Sequence, residues 1–244
     1  MGTLYDWLHA EPFTLTMSSG FFGFFAHCGM LSALEERGLT PARITGSSAG
    51  ALVGACFASG CPTVTLQQRL AALQKKDFWD PRPGLGLLRG NRFRTILRDL
   101  AQVTNLEDCP IPIAVSVYDG LFRKTKVMDT GPLDRIVSAS CAVPFLFHPV
   151  RIGRRWYWDG GIRDRHGLAA TQPGERIFFH HLSSRSPWRH KNDPALKIPQ
   201  RENLTALVID HLPRSGPNRL EAGPRAFERA RQETFRLLRL PIKK

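Results

Sequence analysis

The sequence predicts an α/β fold with a sheet that is at least partly parallel. The chain opens as strand, helix, strand, helix, an order that suits parallel strands joined by crossover helices. Its 244 residues and 42% hydrophobic content suffice for one sizeable core. No Ser/Gly-rich linker divides it, so residues 1–244 are expected to form a single domain.

Each element has a local reason. "FTLTMSS" (13–19) alternates apolar and polar residues as a strand does, and "FFAHCGMLSALEER" (24–37) places apolar residues at helical spacing before Gly38. "ARITGS" (42–47) is a second short strand, and "AGALVGACFASG" opens the next helix. Residues 62–77 read as helix, 81–92 as a Pro/Gly loop and 92–103 as an amphipathic helix. Asp119-Gly120 between two β-rich runs predicts a hairpin within 109–128. Residues 132–143 return to helix, which Pro144 ends. "HPVRIGRRWYWDGG" (148–161) reads as strand, turn at Gly153, strand and glycine loop, followed by strands at 175–182 and 204–212. The polar, proline-containing 183–203 reads as a surface excursion, and 219–240 as a basic C-terminal helix interrupted by Gly223-Pro224.

Composition narrows the setting. Cys28, Cys56, Cys61, Cys109 and Cys141 are odd in number and never spaced CxxC, as expected of free thiols in a reducing compartment and not of a zinc site. The first fifteen residues lack the basic and apolar regions of a secretory signal, and no uncharged apolar run is long enough to span a bilayer. A cytoplasmic protein, with peripheral membrane contact as an option, is the expectation. The formal charge of +13 favours an acidic partner, either an anionic membrane surface or nucleic acid, and does not choose between them.

Gly46-Ser47-Ser48-Ala49-Gly50 satisfies G-x-S-x-G at a strand-to-helix junction. In that position the pattern is a nucleophile elbow, with Gly46 and Gly50 allowing close chain passage and Ser48 raised at a helix N-terminus beside the Ala49 amide. A tight Gly/Ser turn is the plain alternative. A phosphate-binding turn is disfavoured, because no Lys follows as in GxxxxGK[ST]. "SSGFFG" (18–23) also ends a strand and opens a helix, so its amides belong at the sheet edge that holds Ser48. Asp159, before Gly160-Gly161, is either a general base or an ordinary turn residue.

Taken together, these stretches resemble the patatin-like phospholipase family over residues 13–170. The landmarks stand in family order: the glycine-containing loop before "AHCGML", the elbow "TGSSAGALVGA", "GLLRGNRFRTIL", "SASCAVPFLFHPV" and "WYWDGG". The resemblance implies a three-layer α/β/α fold with a mixed, mostly parallel sheet. It implies that Ser48 is the nucleophile, Asp159 the base, and the amides around Gly20, Phe21 and Gly23, with Ala49, the oxyanion hole. It implies a serine esterase acting on lipid ester bonds without cofactor or metal, and ranks a lipid partner above nucleic acid. A small-ester esterase, an acyltransferase on the same site and a noncatalytic basic lipid- or nucleic-acid-binding protein are the alternatives.

The chain departs from the family pattern where Ser18 and Ser19 replace two loop glycines and Phe22 an arginine. Arg165 and Gly167 stand for the usual Asn and Pro after the Asp-Gly-Gly. A triad using His180 or His181 is the mechanistic rival. "FFGFF" (21–25) is either core or the wall of an acyl site, and Arg163 and Arg165 either a solvated turn or phosphate contacts. On the C-terminal helix, Arg231 shares a face with Phe227, Thr234, Phe235 and Leu238. That helix either packs on the sheet or touches an anionic membrane.

Overall fold

The computed structural model describes residues 2–183 and 193–242, so the middle of the expected 183–203 excursion lies outside the described residues. The sheet is built from β1 (Thr14–Met17), β2 (Arg43–Ser47), β4 (Ile113–Asp119), β9 (Ile177–His181) and β10 (Leu204–Val208), in the order β10-β9-β1-β2-β4, all parallel. Antiparallel strands complete it beyond β4: β5 (Lys124–Met128) and the hairpin of β7 (Val150–Ile152) with β8 (Arg155–Asp159). This is the mixed α/β fold with a mostly parallel sheet that the family resemblance implies, and its parallel strands are those the opening elements predict.

Alternation along the strands sorts the residues between two faces. Leu15, Met17, Ile44 and Phe178 enter the main hydrophobic cluster, which draws buried residues from as far apart as Leu4 and Leu238. Ile177 and Phe179 join Leu168 in a smaller cluster, and Thr16 and Thr45, paired across the ladder, share a hydroxyl hydrogen bond of 2.8 Å. β9 is buried on both faces along its whole length, as an interior parallel strand should be, and its last two residues, His180 and His181, are buried with Ile177, Phe178 and Phe179.

The helices α2 (Phe24–Glu36), α3 (Ala49–Ala58), α5 (Asn91–Leu100) and α6 (Leu133–Ser140) lie where their periodicity predicts. The expected 62–77 helix is divided into α4 (Thr63–Ala71) and a 3-10 turn at Lys75–Asp77. The first helix, α1 (Leu4–Ala10), was not expected. Thr3 and Asp6 cap it reciprocally, and the Leu4 amide donates to the Leu240 carbonyl, so the two chain ends are joined. The Pro/Gly loop contains a three-residue strand, β3 (Gly86–Leu88), paired in parallel with β6 (Phe145–Phe147).

The last helix, α7 (Gly223–Leu238), begins at Gly223-Pro224 and is not interrupted there. Proline in a first helical turn forgoes an N–H that has no intrahelical partner. α7 packs on α2 and buries Ala226, Phe227, Ala230, Thr234 and Leu238. The approach is close: a Cβ on Gly29 of α2 would lie 2.1 Å from the Phe227 carbonyl oxygen. Arg231, which sequence places on the apolar stripe, pairs with Glu36 of α2 at 2.6 Å and lies over the Phe235 ring.

The five cysteines are free, and burial pushes the thiols of Cys28 and Cys56 far up. Among the described residues, no helix is long and apolar enough to cross a membrane.

Candidate active site

Ser48 and Asp159 are 111 residues apart, and one strand brings them together. β2 runs parallel to β4 and ends with Ser47 opposite Ser116; β8 runs antiparallel and ends with Asp159 opposite Val117. Because β5 occupies the other edge of β4 from Val115 to Asp119, β2 and β8 share one edge and meet head to head there. The residue after Ser47 therefore faces Asp159. Ser48 Oγ donates to Asp159 Oδ2 at 2.7 Å, and the Gly161 amide donates to Asp159 Oδ1, also at 2.7 Å.

Ser48 is held at φ 51°, ψ −116°, a left-handed conformation that strains a non-glycine residue by ~1–3 kcal/mol. Its glycine neighbours make the turn sterically feasible. A Cβ on Gly46 would lie 2.8 Å from the Ala51 amide nitrogen, and one on Gly50 would lie 2.2 Å from the Met17 carbonyl oxygen. α3 starts directly after Ser48, so the Ala49 N–H has no intrahelical acceptor and the positive end of the helix dipole faces the hydroxyl.

Nothing in the sequence marks Ser140. Fully buried at the end of α6, its hydroxyl accepts the Ser48 amide at 2.8 Å and donates to the Ser116 carbonyl at 2.7 Å. The Ser116 hydroxyl donates in turn to Asp164, whose carboxylate also accepts the Leu168 and Ala169 amides. One polar network thus ties the elbow to the loop that follows Asp159. A serine inside an apolar helical run gives no local signal of this role.

The loop 18–23 borders the site, with Ser19, Gly20 and Phe21 lining the same cavity as Ser48. Gly20 and Gly23 lie against Leu182, whose Cδ1 would be 2.5 and 2.2 Å from a Cβ at either position. Gly23 departs from its expected part in the oxyanion hole: its amide donates to the Gly20 carbonyl at 2.9 Å and closes a turn. The Gly20 and Phe21 amides and that of Ala49 remain the candidate donors. Phe22 takes positive φ and sets its ring against Phe21, Phe24 and Phe78, so it belongs to the cavity wall.

Arg165 fits neither reading offered by sequence. It is 1% exposed, its guanidinium donates to the Leu182 carbonyl and its own carbonyl accepts the Ser19 amide at 2.7 Å, so a cation is buried beside the loop that lacks the family arginine. Among the described residues, neither His180 nor His181 forms a triad with Ser48. His180 Nδ1 is 2.9 Å from His27 Nδ1, and His27 Nε2 is 2.8 Å from the Ser18 carbonyl. Donation to that carbonyl makes His27 the acceptor from His180. Burial holds both rings neutral, lowering His27 to about 4 and His180 well below the ordinary value. His181 Nε2 lies 3.0 Å from the Leu196 carbonyl.

From Ser48 and Asp159 a cavity of about 520 Å³ runs between α3, α4 and α5, past Leu52, Leu73, Phe93, Leu97 and Leu100. Its lining is overwhelmingly apolar, with Ser19, Ser48, Asp159 and Asp193 among its few polar residues. Cys141 stands beside the pair: burial, with the Asp159 carboxylate close by, pushes its thiol well up, so it stays protonated.

A family model described as patatin-like phospholipase matches residues 15–171. The chain is 33% identical over 153 residues to an uncharacterized NTE family protein of Mycobacterium tuberculosis, covering 62% of this chain and 42% of the relative. It is 27% identical over 146 residues to lysophospholipase NTE1 of Mycosarcoma maydis, covering 57% of this chain and 8% of that protein. The chain thus spans less than half the length of these curated relatives. Among solved structures it is similar to VipD from Legionella pneumophila, with a TM-score of 0.68 and 15% identity over 93% of this chain and 67% of that one, a likeness of fold. Matched over well over half its length, with the elbow and the Asp-Gly-Gly loop inside the matched span, the chain belongs to the patatin-like phospholipase family.

Proposed function

We propose that this chain is a serine acyl hydrolase that cleaves carboxylic ester bonds of phospholipids or lysophospholipids through Ser48 and Asp159. The observation that carries the reading is the 2.7 Å hydrogen bond from a strained, half-buried serine to a buried aspartate, at the head of a long apolar cavity.

In this mechanism Ser48 Oγ attacks the ester carbonyl carbon as its proton passes to Asp159 Oδ2. The tetrahedral oxyanion is met by the Ala49 amide and those of Gly20 and Phe21, fixed dipoles that need no reorganisation. Collapse breaks the ester C–O bond, and Asp159 returns the proton to the leaving alkoxide, leaving an acyl group on Ser48. Water then attacks, giving its proton to Asp159, and the second collapse releases the fatty acid and restores the serine. An aspartate has a reference pKa of about 3.9 against about 6.5 for histidine, so it is the weaker base. Its 6% exposure and the fixed orientation supplied by Gly161 support its use here. The size and apolarity of the cavity favour a long acyl chain over a small ester.

The test is labelling with a fluorophosphonate probe beside assays on monoacyl and diacyl phospholipids. The expected result is an adduct on the Ser48 peptide and free fatty acid from at least one lipid, both absent in Ser48→Ala. Acyl transfer to an alcohol without free fatty acid would move the chain to the transferases. Absence of both adduct and product would reject the reading.

A further inference from the structure

Phe145 combines two unfavourable features. It is 87% exposed, and it holds φ 66°, where glycine sits freely and a phenylalanine is strained. It lines the mouth of the cavity that leads to Ser48, as does Ile162, on the 3-10 turn after Asp159 and also exposed. The register partner of Phe145 is Gly86, and the residues on either side of that glycine, Leu85 and Leu87, are 70% and 47% exposed. Phe145 and Ile162 therefore stand in water at the opening, and Leu85 and Leu87 stand in water on the outer face of the strand paired with Phe145, whose Gly86 and Leu88 are turned inward. Nothing in the core uses them.

Their surroundings are cationic. Arg82 and Arg89 flank the exposed strand and Arg163 follows Ile162; all three are exposed, and none forms an ion pair among the described residues. The nearby carboxylate of Asp80 is engaged by the Gly90, Asn91 and Arg92 amides. Asp193, which lines the cavity, accepts the Ala195 amide. Apolar side chains next to arginines that form no ion pair among the described residues, in a chain of net charge +13, suit a surface with anionic headgroups above an acyl interior.

We propose that this mouth, together with the outer face of the 86–88 strand beside it, is a docking surface for anionic lipid bilayers: Phe145, Ile162, Leu85 and Leu87 seat among the acyl chains while Arg82, Arg89 and Arg163 meet headgroup phosphates. The role of such docking rests on the lipid-hydrolase reading, since it would deliver an acyl chain into the cavity without passage through water. The C-terminal helix is the poorer candidate, because its apolar face is already buried against α2.

Binding is tested on the full chain carrying Ser48→Ala, so that hydrolysis plays no part, by co-sedimentation with phosphatidylcholine/phosphatidylglycerol vesicles and with phosphatidylcholine vesicles at low and high salt. Binding should require phosphatidylglycerol and weaken with salt. Leu85→Ser with Leu87→Ser should weaken it by about tenfold. In a chain with Ser48 intact, that double variant should leave turnover of a water-soluble ester unchanged, because neither leucine lines the cavity. Phe145→Trp should add fluorescence that shifts to the blue on the vesicles. Undiminished binding by the leucine variant together with an unshifted Phe145→Trp spectrum would overturn the proposal, as would no vesicle binding at all. Loss of binding on reversing Arg229, Arg236 and Arg239, with the leucine variant unaffected, would also overturn it and place the contact on the C-terminal helix. Vesicle binding of the expected kind without ester hydrolysis by the Ser48 protein would sink the hydrolase reading and leave the docking surface standing.

Discussion

The elbow and the cavity behind it are built on opposite principles. Around Ser48 the backbone is tight and polar, with glycines packed against carbonyl oxygens and the serine amide, hydroxyl and aspartate each engaged in a hydrogen bond. Behind it lies apolar space walled by side chains from α3, α4, α5 and the 143–147 segment. The elbow has one permitted geometry, so small changes should act on rate. The cavity is adjustable, so changes there should act on which acyl chain is used.

Ser140→Ala tests the first half of that contrast, with the larger expected effect of its two halves. It removes the acceptor of the Ser48 amide and the donor to Ser116 while leaving the Ser48–Asp159 pair in place. Misplacement of a nucleophile by about 1 Å is expected to lower kcat by about 10²-fold with little change in KM. Ser140→Thr, which keeps the hydroxyl, should recover part of the loss. An alanine variant with normal kcat would show that the elbow holds itself.

Chain-length profiles test the second half. While an acyl chain extends into the cavity, kcat/KM should rise by up to about fourfold per added methylene, the equivalent of ~0.8 kcal/mol of apolar transfer. Leu73→Trp, which narrows the cavity on the α4 side, should cut long-chain activity by about tenfold and spare short esters. An equal loss on all chain lengths would mean that the cavity does not hold the acyl group.

The smallest expected effect is none. Among the described residues, no three Cys, His, Asp or Glu side chains cluster as metal ligands, and the proposed mechanism assigns charge stabilisation to backbone amides. Hydrolysis should therefore be unchanged in EDTA. Loss of turnover restored by calcium would contradict it.

What sequence reveals follows the same division. The elbow and the Asp-Gly-Gly loop are legible because each depends on a local backbone shape that only particular residues allow, Gly46 and Gly50 at the turn and Gly160 and Gly161 after the aspartate. The parallel order of β1 and β2 is legible from the crossover helices. The meeting of β2 and β8 on one edge of β4 is a matter of long-range register, as is the pairing of β3 with β6, and three-residue strands in Pro/Gly surroundings carry no periodicity to announce them. Ser140 and Arg165 act through contacts made only in the folded chain. The amide of Gly23 is similarly decided by the turn it closes, which a glycine-rich motif does not specify. α1 depends on a capping pair, Thr3 and Asp6, too short a signal beside its roughly two turns of helix to stand out.

The central claim is that Ser48 and Asp159 act as one unit, and a double-mutant cycle on a soluble ester measures it most directly. Ser48→Ala, Asp159→Asn and the double variant should keep the wild-type circular dichroism spectrum. The mechanism predicts that each single variant loses about 10⁴-fold or more in kcat/KM and that the double loses little beyond either. Near-normal turnover by Asp159→Asn, or an equal loss in His180→Ala or His181→Ala with Asp159 intact, would contradict it.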